Sequence, residues 1–129
     1  MIPLIPYEKI INANGEKKTL KYLKISPISP LKFDKMCDLI AERTTLSSNE
    51  VGFVLGEIKD MIIENASIGR GVDCGPLGVF VPSLSAKAVE DEKDLNLKTV
   101  RKINIVFKPS LKIKKAFKDF TMRIKRDYK

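Results

Sequence analysis

The fold of this chain is decided by the stretch Gly71–Ile113, which begins with GVDCGPLGVF (Gly71–Phe80) and contains the run INIVFKPS (Ile103–Ser110). The first segment holds two short apolar runs separated by a Gly-Pro turn, and the second is a β-prone run that stops at a proline. The residues between them are rich in Ser, Ala and Lys and include an acidic cluster. Two strands joined by a long polar segment predict a β-ribbon that projects from a body.

Length and composition are those of one globular domain. The chain has 129 residues, of which 43% are hydrophobic and 31% charged, which excludes a disordered tail. It lacks an apolar run long enough to span a bilayer, and its start lacks the basic segment of a secretory signal, so we expect a cytoplasmic protein that does not act at a membrane. Cys37 and Cys74 lack metal-ligand spacing, and we favour two reduced core cysteines over a disulfide.

Several chemistries have no support in the sequence. The chain contains no histidine, the commonest general base and a frequent metal ligand. Gly69, Arg70 and Gly71 do not complete a phosphate-binding loop. We therefore expect no enzymatic activity, no cofactor, no metal and no small-molecule substrate.

The positive charge is concentrated at the two ends of the chain. The net charge is +8, and residues 108–129 alone carry nine basic and two acidic side chains, whereas residues 32–80 carry five basic and eight acidic ones. This asymmetry favours a polyanionic partner.

The periodicity of the remaining chain predicts a hairpin followed by three helices. Tyr7–Ile11 and Thr19–Ile25 are β-prone runs on either side of Asn12-Ala13-Asn14-Gly15, and prolines after them indicate a linker. This hairpin has two open readings, an edge extension that packs on the body or a contact surface for a partner. The first helix is predicted at about Phe33–Arg43.

Capping signals place the other two helices. Ser47 and Glu50 form a capping box before the second helix, which ends near Asn65 and carries an apolar stripe that we interpret as core. Ser110 is a good N-cap for the last helix, and Ile124 extends that helix in our interpretation.

The ordered set of motifs resembles the bacterial HU/IHF histone-like DNA-binding proteins. Leu77-Gly78-Val79-Phe80 and Phe107-Lys108-Pro109 lie at the family's two landmark positions, and the similarity covers roughly residues 33–120. The N-terminal hairpin makes the chain similar to divergent long forms of the family. The resemblance implies an intertwined homodimer whose two arms reach around duplex DNA through the minor groove. It also implies that Lys108 and Lys114 lie at positions that contact phosphates and that Lys118 lies at a further position that is often basic in the family.

The chain departs from this family at the tip of the arm. Where the family has Arg-Asn-Pro, the chain has Val89–Leu95, which is acidic and contains neither proline nor arginine. Ser83 and Ser85 replace the family's arginines, and Ser110-Leu111 replaces a Gly-Lys. Because carboxylates repel phosphates, we do not expect sharp bending of DNA by an intercalated proline.

These observations give one leading prediction. We expect an α+β, HU/IHF-like fold with two N-terminal helices, a three-stranded sheet with a projecting ribbon arm at about residues 81–106, and a C-terminal helix. Residues 1–31 form the hairpin extension and linker, and residues 32–129 form the DNA-binding domain. We expect a nucleoid-associated homodimer that binds double-stranded DNA with low sequence specificity through Lys87, Lys98, Arg101, Lys102, Lys108, Lys112, Lys114, Lys115 and Lys118.

A second function remains open on the same fold. The acidic tip, Glu90-Asp91-Glu92, and the N-terminal hairpin also fit a protein-interaction module that has lost DNA bending. Replacement of Lys114 and Lys118 by glutamate distinguishes the two, because only the DNA-binding function requires both cations.

Overall fold

A computed structural model of the chain describes residues 1–125. The predicted domain 32–129 therefore includes four residues, 126–129, that lie outside the described residues. The chain divides into two compact units, Met1–Pro30 together with the segment from Ala116 onward, and Leu31–Lys115.

Two helices begin the second unit, and both lie where the sequence predicts them. Helix α1 spans Phe33–Arg43 and helix α2 spans Ser48–Ala66. Both hydrogen bonds of the capping box are present, because the Glu50 amide donates to the Ser47 hydroxyl at 3.2 Å and the Ser47 amide donates to the Glu50 carboxylate at 3.3 Å. Reciprocal capping of this kind satisfies two amides that the first helical turn leaves without partners.

A three-stranded antiparallel sheet follows α2. Strand β3 (Val72–Asp73) pairs with β4 (Gly78–Ala86), which pairs in turn with β5 (Val100–Pro109). Helix α3 then begins at Leu111 and ends at Lys118. The α+β class is confirmed, with three helices and two small sheets within residues 1–125.

The first unit contains a longer hairpin than the sequence predicts. Strand β1 covers Ile2–Ala13 and strand β2 covers Glu16–Ile25. Asn14 and Gly15 form the two-residue turn with φ of 54° and 77°, and this geometry matches the right-handed twist of the two strands.

The C-terminal segment corrects one prediction. Instead of extending α3, Met122–Ile124 forms strand β6, which pairs in parallel with β1 and gives the sheet order β2-β1-β6. The helix ends in tight i→i−3 bonds at Asp119 and Phe120. Pairing with β1 then satisfies the backbone groups of this segment.

A single copy of the chain buries few of its residues. In the second unit only Cys37, Val51 and Gly78 are buried. Several large apolar side chains of the same unit are exposed, namely Phe33, Phe53, Val54, Met61 and Ile63. Phe53, Val54 and Met61 line one groove, and a contiguous exposed apolar patch of this kind marks an interaction site in a folded protein. Within residues 1–125, no helix is both long and apolar enough to cross a membrane.

Candidate nucleic-acid interface

The base of the β4–β5 ribbon is held by a close approach between two backbones. Gly78 has a φ of 142°, and a Cβ atom at this position would collide with the carbonyl oxygen of Lys108 and lie 3.0 Å from the Cα of Pro109. Residues other than glycine rarely adopt this backbone conformation. The Leu-Gly-x-Phe motif thus needs its glycine because β5 passes directly against it, and this contact places Lys108 at the foot of the ribbon.

Ser110 connects the ribbon to α3. Its hydroxyl donates a 2.6 Å hydrogen bond to the carbonyl of Pro76 and accepts one of 3.3 Å from the amide of Ile113. Its own amide donates to the carbonyl of Leu77 at 3.1 Å. The predicted N-cap is therefore confirmed, and the same side chain fixes the start of α3 to the turn between β3 and β4.

The ribbon has two chemically different faces. The register pairs Phe80 with Phe107 and Leu84 with Ile103, so these residues share one face, on which Ile103 is 74% exposed. The opposite face carries Lys102 and Lys108, both exposed. These lysines are six positions apart along one strand, which corresponds to about 20 Å.

The distal basic residues lie at the end of the paired strands. Ser85 faces Lys102 and Ala86 faces Val100, so Arg101 is an extra residue in a β-bulge. Bulges redirect side chains and increase local twist. Beyond the bulge, the Lys87 amide donates a 2.7 Å hydrogen bond to the carbonyl of Thr99. This bond brings the backbone of Lys87 close to that of Thr99, the residue that follows Lys98.

Helix α3 presents the densest group of lysines. Lys114 and Lys118 are one turn apart and share a helix face, while Lys112 and Lys115 occupy neighbouring positions. All four are exposed. In the described part of the chain the only ion pairs within 4 Å are Lys59–Asp60 and Lys93–Asp91, so none of the nine predicted site residues pairs with a carboxylate there.

The loop between the two ribbon strands retains its acidic character. Residues 87–99 contain two short 3₁₀ turns instead of a continued ladder. Asp91 accepts a hydrogen bond from the Lys93 amide at 3.1 Å and forms an exposed ion pair with its ammonium group at 3.5 Å. The carboxylates of Glu90, Glu92 and Asp94 make no such ion pair within residues 1–125.

Sequence reasoning missed one group of residues, on the N-terminal hairpin. The rings of Tyr7 and Tyr22 stack with centroids 5.3 Å apart, and the Lys24 ammonium lies 5.5 Å from the centre of the Tyr7 ring. The turn at Asn14 and Gly15 determines the register that pairs Tyr7 with Tyr22. A register predicted from this turn could therefore have identified the group.

Comparison with known proteins agrees with this architecture at a coarse level. A structure of a Bacteroides vulgatus ATCC 8482 protein, described as a candidate bacterial DNA-binding protein, superposes with a TM-score of 0.64 at 11% sequence identity. The match covers 95% of this chain but 47% of that one, so the chain spans about half the length of its structural neighbour. No match is found among curated proteins.

A match to a protein-family model shows the family of this chain. The HU-HIG model, described as an HU domain fused to a wHTH, Ig or glycine-rich motif, matches residues 5–126. That range includes most of the N-terminal hairpin, the ribbon and helices α1, α2 and α3. Because the match covers most of the chain, the protein belongs to the HU-HIG family.

Proposed function

We propose that this protein is a non-enzymatic, nucleoid-associated protein that binds duplex DNA with low sequence specificity as a homodimer. The observation that carries the proposal is the set of exposed cationic side chains on the ribbon and α3, none paired with a carboxylate within residues 1–125. Such side chains can release condensed counterions from DNA by neutralising phosphates. Membership of an HU family and the DNA-binding description of the structural neighbour support the choice of DNA.

The geometry around Ser110 supports a combined role for ribbon and helix. Because Ser110 bonds to both Pro76 and Ile113, the start of α3 is fixed relative to the foot of β5. Lys108 is only four residues before Lys112. We propose that the basic face of β5 and the first turn of α3 contact successive phosphates of one duplex. Contacts of this kind determine position without reading sequence.

A second copy of the chain accounts for the exposed apolar surface. Phe53, Val54, Ile58 and Met61 line an open groove of about 450 Å³ along α2, and Phe53 is 74% exposed. The apolar ribbon face is likewise uncovered. Burial of apolar area at about 25 cal/mol per Å² favours association, and an intertwined dimer would cover α2 in both copies and present two ribbons to one duplex.

The acidic loop restricts which part of the ribbon can contact DNA. It has no proline or arginine to insert between base pairs, and its carboxylates repel phosphates. We propose that the paired strands contact the duplex and that the loop stays outside the groove, so the protein binds without a sharp intercalative bend.

A mobility-shift assay with a short duplex tests the proposal. Replacement of Lys114 and Lys118 by glutamate should abolish retention of the duplex while the protein remains dimeric. The control replaces Arg43 and Lys59, exposed residues of α1 and α2, with the same change in net charge. Equal binding by both variants would contradict the proposal and favour the protein-interaction module.

A further inference from the structure

The two faces of the N-terminal hairpin differ in chemistry. In the observed register Tyr7 lies opposite Tyr22, and alternate residues of each strand share their face. We call this the tyrosine face, and its other members are Ile5, Lys9, Ile11, Ala13, Glu16, Lys18, Leu20 and Lys24. The opposite face has exposed aliphatic side chains, Ile10, Leu23 and Ile25, on either side of the central pair Glu8 and Lys21.

The tyrosine rings are accessible. Tyr7 is 37% and Tyr22 is 39% exposed, although the two rings stack on each other at 5.3 Å. The Lys24 ammonium lies over Tyr7 at 5.5 Å. A lysine side chain is long and flexible, so its ammonium can leave the ring for a nearby anion without movement of the backbone.

The charges on the two faces also differ. The tyrosine face carries Lys9, Lys18 and Lys24 against Glu16 alone, which lies beside the turn. On the opposite face Lys21 lies directly across from Glu8, and Lys17 lies across from Asn12. Within residues 1–125 no hairpin lysine forms an ion pair within 4 Å. Three lysines and one glutamate give the tyrosine face a net charge of +2, whereas two lysines and one glutamate give the opposite face +1.

We propose that the tyrosine face binds single-stranded nucleic acid, with unpaired bases stacked on Tyr7 and Tyr22 and phosphates held by Lys9, Lys18 and Lys24. Aromatic rings interleaved with cations on a sheet surface suit this ligand, because every base has a face that can stack and every nucleotide carries a phosphate. A duplex hides the faces of its bases, so it offers these rings nothing to stack on.

The arrangement of this face favours a ligand-binding role of the tyrosines over a purely structural one. A cross-strand aromatic pair does stabilise a hairpin, and this explains the contact between the rings. It does not explain why three of the five lysines of the two strands lie on the same face as the rings. Lys18 and Lys24 are six residues apart on β2, about 20 Å along the strand, a length suited to several nucleotides. The proposal concerns a different surface from the duplex site and does not depend on it.

A binding comparison on the full-length protein separates stacking from attraction to phosphate. The probe is a fluorescent oligothymidylate of about 12 nucleotides, within the range of known single-strand sites, and the reference is an abasic oligomer with the same number of phosphates. We expect the oligothymidylate to bind at least about 5-fold more tightly. Equal affinity for the two oligomers overturns the proposal. An oligouridylate of the same length shows whether the strand can also be RNA.

Matched variants then test the residues. Tyr7→Val with Tyr22→Val keeps β propensity but removes the rings, and it should reduce oligothymidylate binding to the level of the abasic oligomer. Tyr7→Phe with Tyr22→Phe keeps the rings and should retain binding. Lys18→Gln with Lys24→Gln should weaken binding several-fold more than Lys17→Gln with Lys21→Gln, which makes the same charge change on the opposite face.

Two results on these variants overturn the proposal. One is loss of binding in the phenylalanine variant while it remains folded by circular dichroism. The other is an equal loss in the two glutamine variants. Duplex binding, measured on the same proteins, should be unchanged by the phenylalanine and valine substitutions, so failure of this site can be told from failure of the duplex site.

Discussion

The hydroxyl of Ser110 donates a 2.6 Å hydrogen bond to the carbonyl oxygen of Pro76, 34 residues earlier in the chain. The same oxygen accepts from the Ile113 amide at 3.3 Å. One side chain thus caps α3 and ties it to the turn that precedes β4. This relationship links the fold to the proposed function, because it fixes where the lysines of α3 begin relative to the ribbon.

Ser110→Ala should lower the free energy of unfolding by about 1–2 kcal/mol, since it removes an N-cap and leaves the Pro76 carbonyl without this donor. Urea denaturation of the variant measures the change. Ser110→Thr, which keeps the hydroxyl, is the control and should lose much less. Equal stability of the alanine variant and the natural protein would show that the cap contributes nothing.

Gly78→Ala should destabilise the second unit by several kcal/mol, because its Cβ atom would collide with the Lys108 carbonyl at a backbone φ that favours glycine. Thermal unfolding followed by circular dichroism checks this prediction. Ser83→Ala, an exposed change on the same strand, serves as the control. If both variants melt at the same temperature, the close approach of β4 and β5 is not a constraint on the fold.

Phe53→Glu should convert the dimer to a monomer or prevent folding, because it places a charge at the apolar α2 groove that a second copy is proposed to cover. Sedimentation velocity measures the mass in solution. Ile28→Glu changes a residue of comparable exposure, 77% against 74%, in the linker, and it should leave the dimer intact. A folded dimer of the Phe53 variant would place the interface elsewhere.

Lys102→Gln with Lys108→Gln should weaken duplex binding by about tenfold or more and reduce its salt dependence, because two phosphate contacts are lost from each ribbon. Fluorescence anisotropy with a labelled duplex gives both quantities. The control, Arg43→Gln with Lys59→Gln, removes the same charge from the helices and should change binding much less. A similar loss in both variants would indicate a response to net charge alone.

Short-range signals in the sequence predicted most of the helices and strands. Helix α1 agrees with its prediction at both ends, and the capping box of Ser47 and Glu50 marked the start of α2 correctly. These signals are short-range, so a single sequence contains them. The C-terminal segment was assigned wrongly because β6 exists only through its pairing with β1, more than 100 residues away. Helical periodicity cannot reveal such a partner.

The candidate site was only partly accessible from the sequence. Exposure of the nine basic residues follows from their charge, and the shared face of Lys102 and Lys108 follows from the two-residue alternation of a strand, but the bulge at Arg101 depends on strand register. Ser110 was predicted as a cap, whereas its bond to Pro76 required the three-dimensional structure. The tyrosine face escaped notice because Tyr7 and Tyr22 are 15 residues apart, although the turn at Asn14 and Gly15 determines their pairing.

The central claim is that this protein holds duplex DNA through lysine–phosphate contacts, and a salt titration of duplex affinity tests it most directly. With about four contacts per subunit in a dimer, log affinity should fall linearly with log salt between about 50 and 200 mM, with a slope of roughly −7. Affinity that does not change with salt, or no binding at the lowest salt concentration, would contradict the account.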